Sequence, residues 1–129
     1  MADSVAELRA LIAQYALFLS AKNLRALGSL HWQNEDFTHI WSPGEIDRGW
    51  ESYALRLERE LERLQEPVFR FDDVRATVID GRFATVTARW RCEYGMGEER
   101  RIAREGSVLF AVTKRGDAWQ IVADHFSQS

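Results

Sequence analysis

Trp119-Gln-Ile-Val-Ala-Asp-His-Phe-Ser127 is the last of three strands that fill the chain from Arg82 onward, and these strands decide the fold. Residues 82–94 read as a long strand, Gly95-Met-Gly97 as a turn, and residues 101–113 as the returning strand. Arg115-Gly-Asp117 then turns the chain into residues 118–126. The strands are apolar on both faces, and every helix signal lies before them. Such a sheet takes helices on one face and a different cover on the other. This predicts a curved sheet with a ligand pocket on the helix side and a partner subunit behind.

Working outward, Asp80-Gly81 is a strong hairpin signal, because both residues tolerate the left-handed backbone of a tight turn. It links the long strand to an earlier one over residues 68–79, where Asp72-Asp73 breaks the alternation and predicts a bulge. Pro67 ends a helix that starts near Gly49, with an apolar stripe of Trp50, Tyr53, Leu57, Leu61 and Leu64. Its other face is Glu and Arg, where Arg56 with Glu60 and Glu60 with Arg63 each contribute about 0.2–0.5 kcal/mol. Residues 36–42 form a short strand stopped by Pro43-Gly44, and Asn23 caps a short helix through Leu30. Ser4-Val-Ala-Glu7 reads as a capping box for a first helix to about Ala21, whose stripe is Val5, Leu8, Leu11, Ile12, Tyr15, Phe18 and Leu19. Three helices, one early strand and a four-stranded meander make an α+β domain spanning residues 1–129.

Composition narrows the function classes. A chain of 129 residues, 46% hydrophobic and 29% charged, can bury a real core. Its net charge of −3 offers no basic field, so neither nucleic acid nor a membrane surface is an expected partner. Cys92 is the only cysteine, which excludes an internal disulfide and fits a reducing compartment. Met-Ala-Asp-Ser has no signal-peptide character, and no apolar run reaches the roughly 20 residues needed to span a bilayer. The expectation is a soluble cytoplasmic protein.

Three local patterns resemble the nuclear transport factor 2-like superfamily, in its SnoaL-like and ketosteroid isomerase-like branches. They are Gln14-Tyr15 with Lys22-Asn23-Leu24, Phe37-Thr-His-Ile40 followed by Gly44-Glu-Ile-Asp-Arg-Gly49, and Trp119-Gln-Ile-Val122 followed by His125-Phe-Ser127. The resemblance implies a cone: three N-terminal helices on the concave face of a bent, mixed but mainly antiparallel sheet, with an apolar pocket at the open end. It also implies a homodimer through the outer sheet face.

Ketosteroid isomerases use an Asp base with a Tyr and a protonated Asp as oxyanion donors. By resemblance Tyr15 takes the tyrosine position, the base position falls on Ile40, and the protonated acid falls on or near Ser107. Isoleucine accepts no proton, so the isomerase mechanism does not carry over. Ala123, His125 and Ser127 alternate onto one face, which by the family's register lines the pocket. His125 is then the candidate general acid or base, with Tyr15 polarising a carbonyl. The competing reading of His125 is a partly buried structural histidine.

Trp32, Trp50, Tyr53, Leu57 and Trp90 are further candidates for the pocket wall. His39 is expected to face outward, Asp124 to lie opposite His125, and Cys92 to pack in the core. Val108, Phe110 and Val112 are expected on the outer face as the dimer interface, with Arg89, Arg91 and Arg104 beside them. No spacing of His, Cys or carboxylates suggests a metal, and no cofactor is implied. These features predict a SnoaL-like pocket protein for a small hydrophobic, ring-containing molecule. If it is an enzyme, it is a cofactor-free isomerase, cyclase or dehydratase. The alternative is a non-catalytic dimerisation or ligand-sensing module.

Overall fold

The computed structural model describes residues 3–42, 44–97 and 101–129; Pro43, read as a strand stop, and Met1 lie outside the described residues. Helix α1 (Ser4–Ser20) is capped by Asp3, not Ser4: the Asp3 carboxylate accepts from the Val5 amide at 3.0 Å. Asn23 caps the short α2 (Leu24–Gly28) by accepting from the Ala26 amide at 3.1 Å. Strands β1 (Thr38–Trp41) and β2 (Glu45–Arg48) form a hairpin, and Gly49, at φ 92°, opens α3 (Trp50–Arg63). Four long strands follow: β3 (Gln65–Ile79), β4 (Phe83–Gly95), β5 (Arg101–Arg115) and β6 (Ala118–Gln128).

The six strands form one sheet in the order β2-β1-β6-β5-β4-β3. All neighbours are antiparallel except β1 and β6, which run parallel. Asp80 and Gly81 both take positive φ, 55° and 71°, as the two-residue turn requires. β3 carries a bulge between Asp72 and Arg75, with Asp73 at φ 52°.

One face of this sheet is buried under the helices. α1 contributes Leu8, Leu11, Ile12, Tyr15 and Leu19, and α3 contributes Tyr53, Leu57 and Leu61. Opposite them, β4 presents Ala84, Val86, Ala88, Trp90, Cys92 and Tyr94, while β5 presents Val108, Phe110 and Val112. Phe110 and Val112 are fully enclosed. Val108, Phe110 and Val112, expected to form an outer dimer interface, therefore belong to the helix-facing core.

The reason is a bulge in β6. Ala111 pairs with Ala123 and Val112 with Ile121, so Val122 is an extra residue with no partner in β5. Before it the odd positions Trp119 and Ile121 face the helices; after it the even positions Asp124 and Phe126 do. Unbroken alternation would have turned Ala123, His125 and Ser127 inward. Directly opposed residues share a face, so the outward side of β6 carries Ser107, Leu109 and Ile40 with it. Arg89 and Arg91 do lie on this outer face, Arg89 opposite Ser107.

Candidate functional site

The open end of the cone holds a cavity of about 420 Å³. Its walls are aromatic and aliphatic: Phe71, Trp90, Trp41 and Phe126 from the sheet, Leu57 and Leu61 from α3. Tyr15, Tyr53 and His39 also line it and supply its polar groups. Glu45, Arg56, Glu60, Arg63, Arg70 and Arg104 add charged side chains to its lining.

His39 and Asp124 sit opposite each other on the parallel strands β1 and β6. Asp124 is 3% exposed, and its Oδ1 hydrogen-bonds His39 Nδ1. Burial pushes the Asp124 carboxyl above the usual carboxylate range, and the hydrogen bond from His39 pulls it back. With Nδ1 engaged by Asp124, the other ring nitrogen of His39, Nε2, has no hydrogen-bond partner among the described residues. The His39 ring stacks on Tyr53 with centroids 4.2 Å apart. Tyr53 and Tyr15 approach hydroxyl to hydroxyl at 3.4 Å, long for such a pair. Burial holds both phenols well above their ordinary pKa, so they remain donors. One hydrogen bond between two hydroxyls uses one proton, and the second proton is available to a ligand oxygen.

His31 stands beside this group. Its Nδ1–H donates to the Leu27 carbonyl at 2.8 Å, and the buried Nε2 has no partner among the described residues. Burial depresses its pKa to about 4, so it is neutral at ordinary pH. Its ring lies 4.6 Å from Trp50 and 5.6 Å from Tyr15.

Trp90 is fixed by two hydrogen bonds from its indole Nε1, to the carbonyls of Ser127 at 3.0 Å and Ser107 at 3.2 Å. The indole reaches them across its cross-strand partner Gly106, where a Cβ would lie 2.8 Å from Nε1. Cys92 lines the cavity as a buried thiol pushed up to about 12, which keeps it protonated and inert. At the mouth, Arg56 joins the hairpin to α3: its Nε donates to Asp47 at 2.8 Å, and Nη1 to Glu45 at 3.0 Å and Glu60 at 3.1 Å.

Of the sequence-derived candidates, Tyr15, Tyr53, Leu57 and Trp90 lie on the cavity. His125 does not: it is exposed on the outer sheet face, where Nε2 meets the Ser42 hydroxyl at 3.0 Å. Ser107 and Ser127 are on that face too, hydroxyl to hydroxyl at 3.0 Å, with Ile40 and Ala123 alongside. Trp50 packs on His31, and Trp32 lies under the Arg115 guanidinium at 5.6 Å, both outside the cavity lining. His39, expected to face outward, faces in, and so does Asp124. Arg104 opposes Cys92 and joins the cavity rather than the outer face. One sequence signal pointed to this arrangement: Trp119 and Ile121 are odd-numbered and Phe126 is even, so all three reach one core only if a residue bulges between them.

Among the described residues no cluster of His, Cys, Asp or Glu could hold a metal ion, and no helix is long and apolar enough to cross a membrane.

Solved structures share this fold. A nuclear transport factor 2-like superfamily protein from Salmonella enterica superposes with a TM-score of 0.86 at 17% identity, covering 95% of this chain and 89% of that one. A protein from Novosphingobium aromaticivorans, provisionally named a scytalone dehydratase, gives 0.86 at 15% identity over 96% and 83%. A nuclear transport factor 2-like protein of unknown function from Shewanella oneidensis gives 0.75 at 22% identity over 95% and 97%. At these identities the likeness concerns the fold alone. Curated protein sequences yield no significant match. A profile of the SnoaL-like domain matches residues 8–129, nearly the whole chain, and the protein belongs to that family.

Proposed function

We propose that the protein binds a hydrophobic, ring-containing small molecule in the cone and performs cofactor-free acid–base chemistry on it. The observation that carries this reading is the His39–Asp124 pair, beside Tyr15 and Tyr53 in an otherwise apolar cavity. A buried carboxylate is costly, and here it fixes one imidazole tautomer with Nε2 free for proton transfer. A ring ketone lying along Trp90 and Phe126 would direct its oxygen toward the tyrosine hydroxyls. His39 Nε2 would then take a proton from the carbon next to the carbonyl. Returning it to a departing β-hydroxyl gives dehydration; returning it to another carbon gives isomerisation. The neighbour provisionally named a scytalone dehydratase favours the first.

The test uses 3-hydroxy-1-tetralone, which loses one water and rearomatises to 1-naphthol. Turnover by the wild type, reduced at least about 100-fold in His39→Ala, supports the reading. Equal rates in the two proteins would reject His39 as the base. Binding of ring compounds without turnover of β-hydroxy or β,γ-unsaturated ring ketones would favour a ligand-sensing module.

The outer sheet face is the proposed self-association surface. Leu109, 45% exposed, is flanked across the strands by Thr87 and His125, with Arg89 and Arg91 nearby. A homodimer through this face would cover Leu109 and leave the cavity mouths open.

A further inference from the structure

We infer that the cavity takes an amphipathic anion: a ring system whose carboxylate, or similar anionic group, is held at the mouth by Arg104 with Arg63. The inference rests on the ring-binding reading above and specifies the substrate class. The chain carries a net charge of −3, yet the charged side chains reaching the cavity are Arg56, Arg63, Arg70 and Arg104 against Glu45 and Glu60, with Arg70 paired to Asp72 at 3.6 Å. These arginines are not equivalent. Arg56 is consumed by Asp47, Glu45 and Glu60 and serves as a strut between the β1–β2 hairpin and α3. Glu60 is thereby used as well, and Arg63 forms no ion pair among the described residues.

Arg104 is planted on the inner face of β5 opposite Cys92. Its guanidinium lies 5.9 Å over the ring of Tyr94, itself part of the cavity lining, and no carboxylate pairs with it among the described residues. A guanidinium stacked on an aromatic face keeps its in-plane N–H donors free, which suits two-point recognition of a carboxylate. A ligand spanning the cavity would meet donors for an anion at the mouth, aromatic walls along its length, and His39 with the two tyrosines.

The test compares 2-naphthoate with its neutral isostere 2-naphthamide, each titrated while following the Trp90 indole N–H resonance. Both should move that resonance, and naphthoate should bind at least about fivefold more tightly at low salt. The preference should be lost in Arg104→Gln, only partly kept in Arg104→Lys, which retains the charge but not the planar pair of donors, and shrink as salt rises. Arg104 is exposed, so these variants should fold. Equal or tighter binding of the amide, or a preference that survives Arg104→Gln or is insensitive to salt, would overturn the anion site and leave the ring-binding reading standing. If neither compound moves the Trp90 signal, both readings fall.

Discussion

At His39 the imidazole is committed on one side and open on the other, because Asp124 occupies Nδ1. Asp124→Asn keeps the shape but removes the charge that would stabilise an imidazolium. We expect kcat/KM on a ring ketone to fall about 100-fold or more with KM little changed, as steady-state kinetics would show. His31 gives a different signature. Its folded pKa of about 4 lies below the ordinary 6.5, so between these values the unfolded chain binds the extra proton. The stabilising contribution is therefore complete above about pH 6.5 and is lost as pH falls toward 4. Between pH 7 and 5 the loss should be about 2 kcal/mol. Urea titrations at the two pH values should show this loss in the wild type and not in His31→Phe; equal losses in both would remove His31 as its source.

Among the strands, one unpaired residue decides which side chains face the helices. The contributions of α1 and α3, Tyr15, Tyr53 and Leu57, were legible because a helical stripe is read over several turns and tolerates small errors of phase. The hairpin at Asp80-Gly81 was legible because few residue pairs accept two positive φ values. Strand faces have no such tolerance: with a period of two, the extra Val122 exchanged His125 for Asp124, and with it Ser107 for Val108 and Ile40 for His39. No residue type at Val122 marks the bulge; only the mismatch of Trp119 and Ile121 with Phe126 does. Gly106 is the other strand position with a strict demand. A Cβ there would lie 1.8 Å from the Ser127 carbonyl oxygen as well as against the Trp90 indole. Gly106→Ala should destabilise the fold by about 2 kcal/mol or more and release the Trp90 N–H to solvent exchange. Thermal denaturation and indole hydrogen exchange would measure the two effects, and an unchanged melting temperature would refute the contact.

For the molecule as a whole, the proposed dimer makes Leu109 the informative position. Sedimentation should give a dimer at micromolar concentration, and Leu109→Glu should yield a folded monomer that still binds ring compounds, because the cavity lies on the opposite side of the sheet. A monomeric wild type would leave Leu109 as an isolated surface residue. The parallel pairing of β1 with β6 has a consequence for biosynthesis. His39 and Asp124 are 85 residues apart in the chain. Until β6 joins the sheet, α1, the β1–β2 hairpin and the β3–β5 meander can form, but the proposed His39–Asp124 pair cannot, and the sheet ends at an open β5 edge. Formation of the proposed acid–base pair and closure of the sheet between β5 and β1 therefore coincide, in a step that depends on long-range contacts. A chain halted before Asp124 is synthesised would expose a template for strand addition while lacking the proposed acid–base pair.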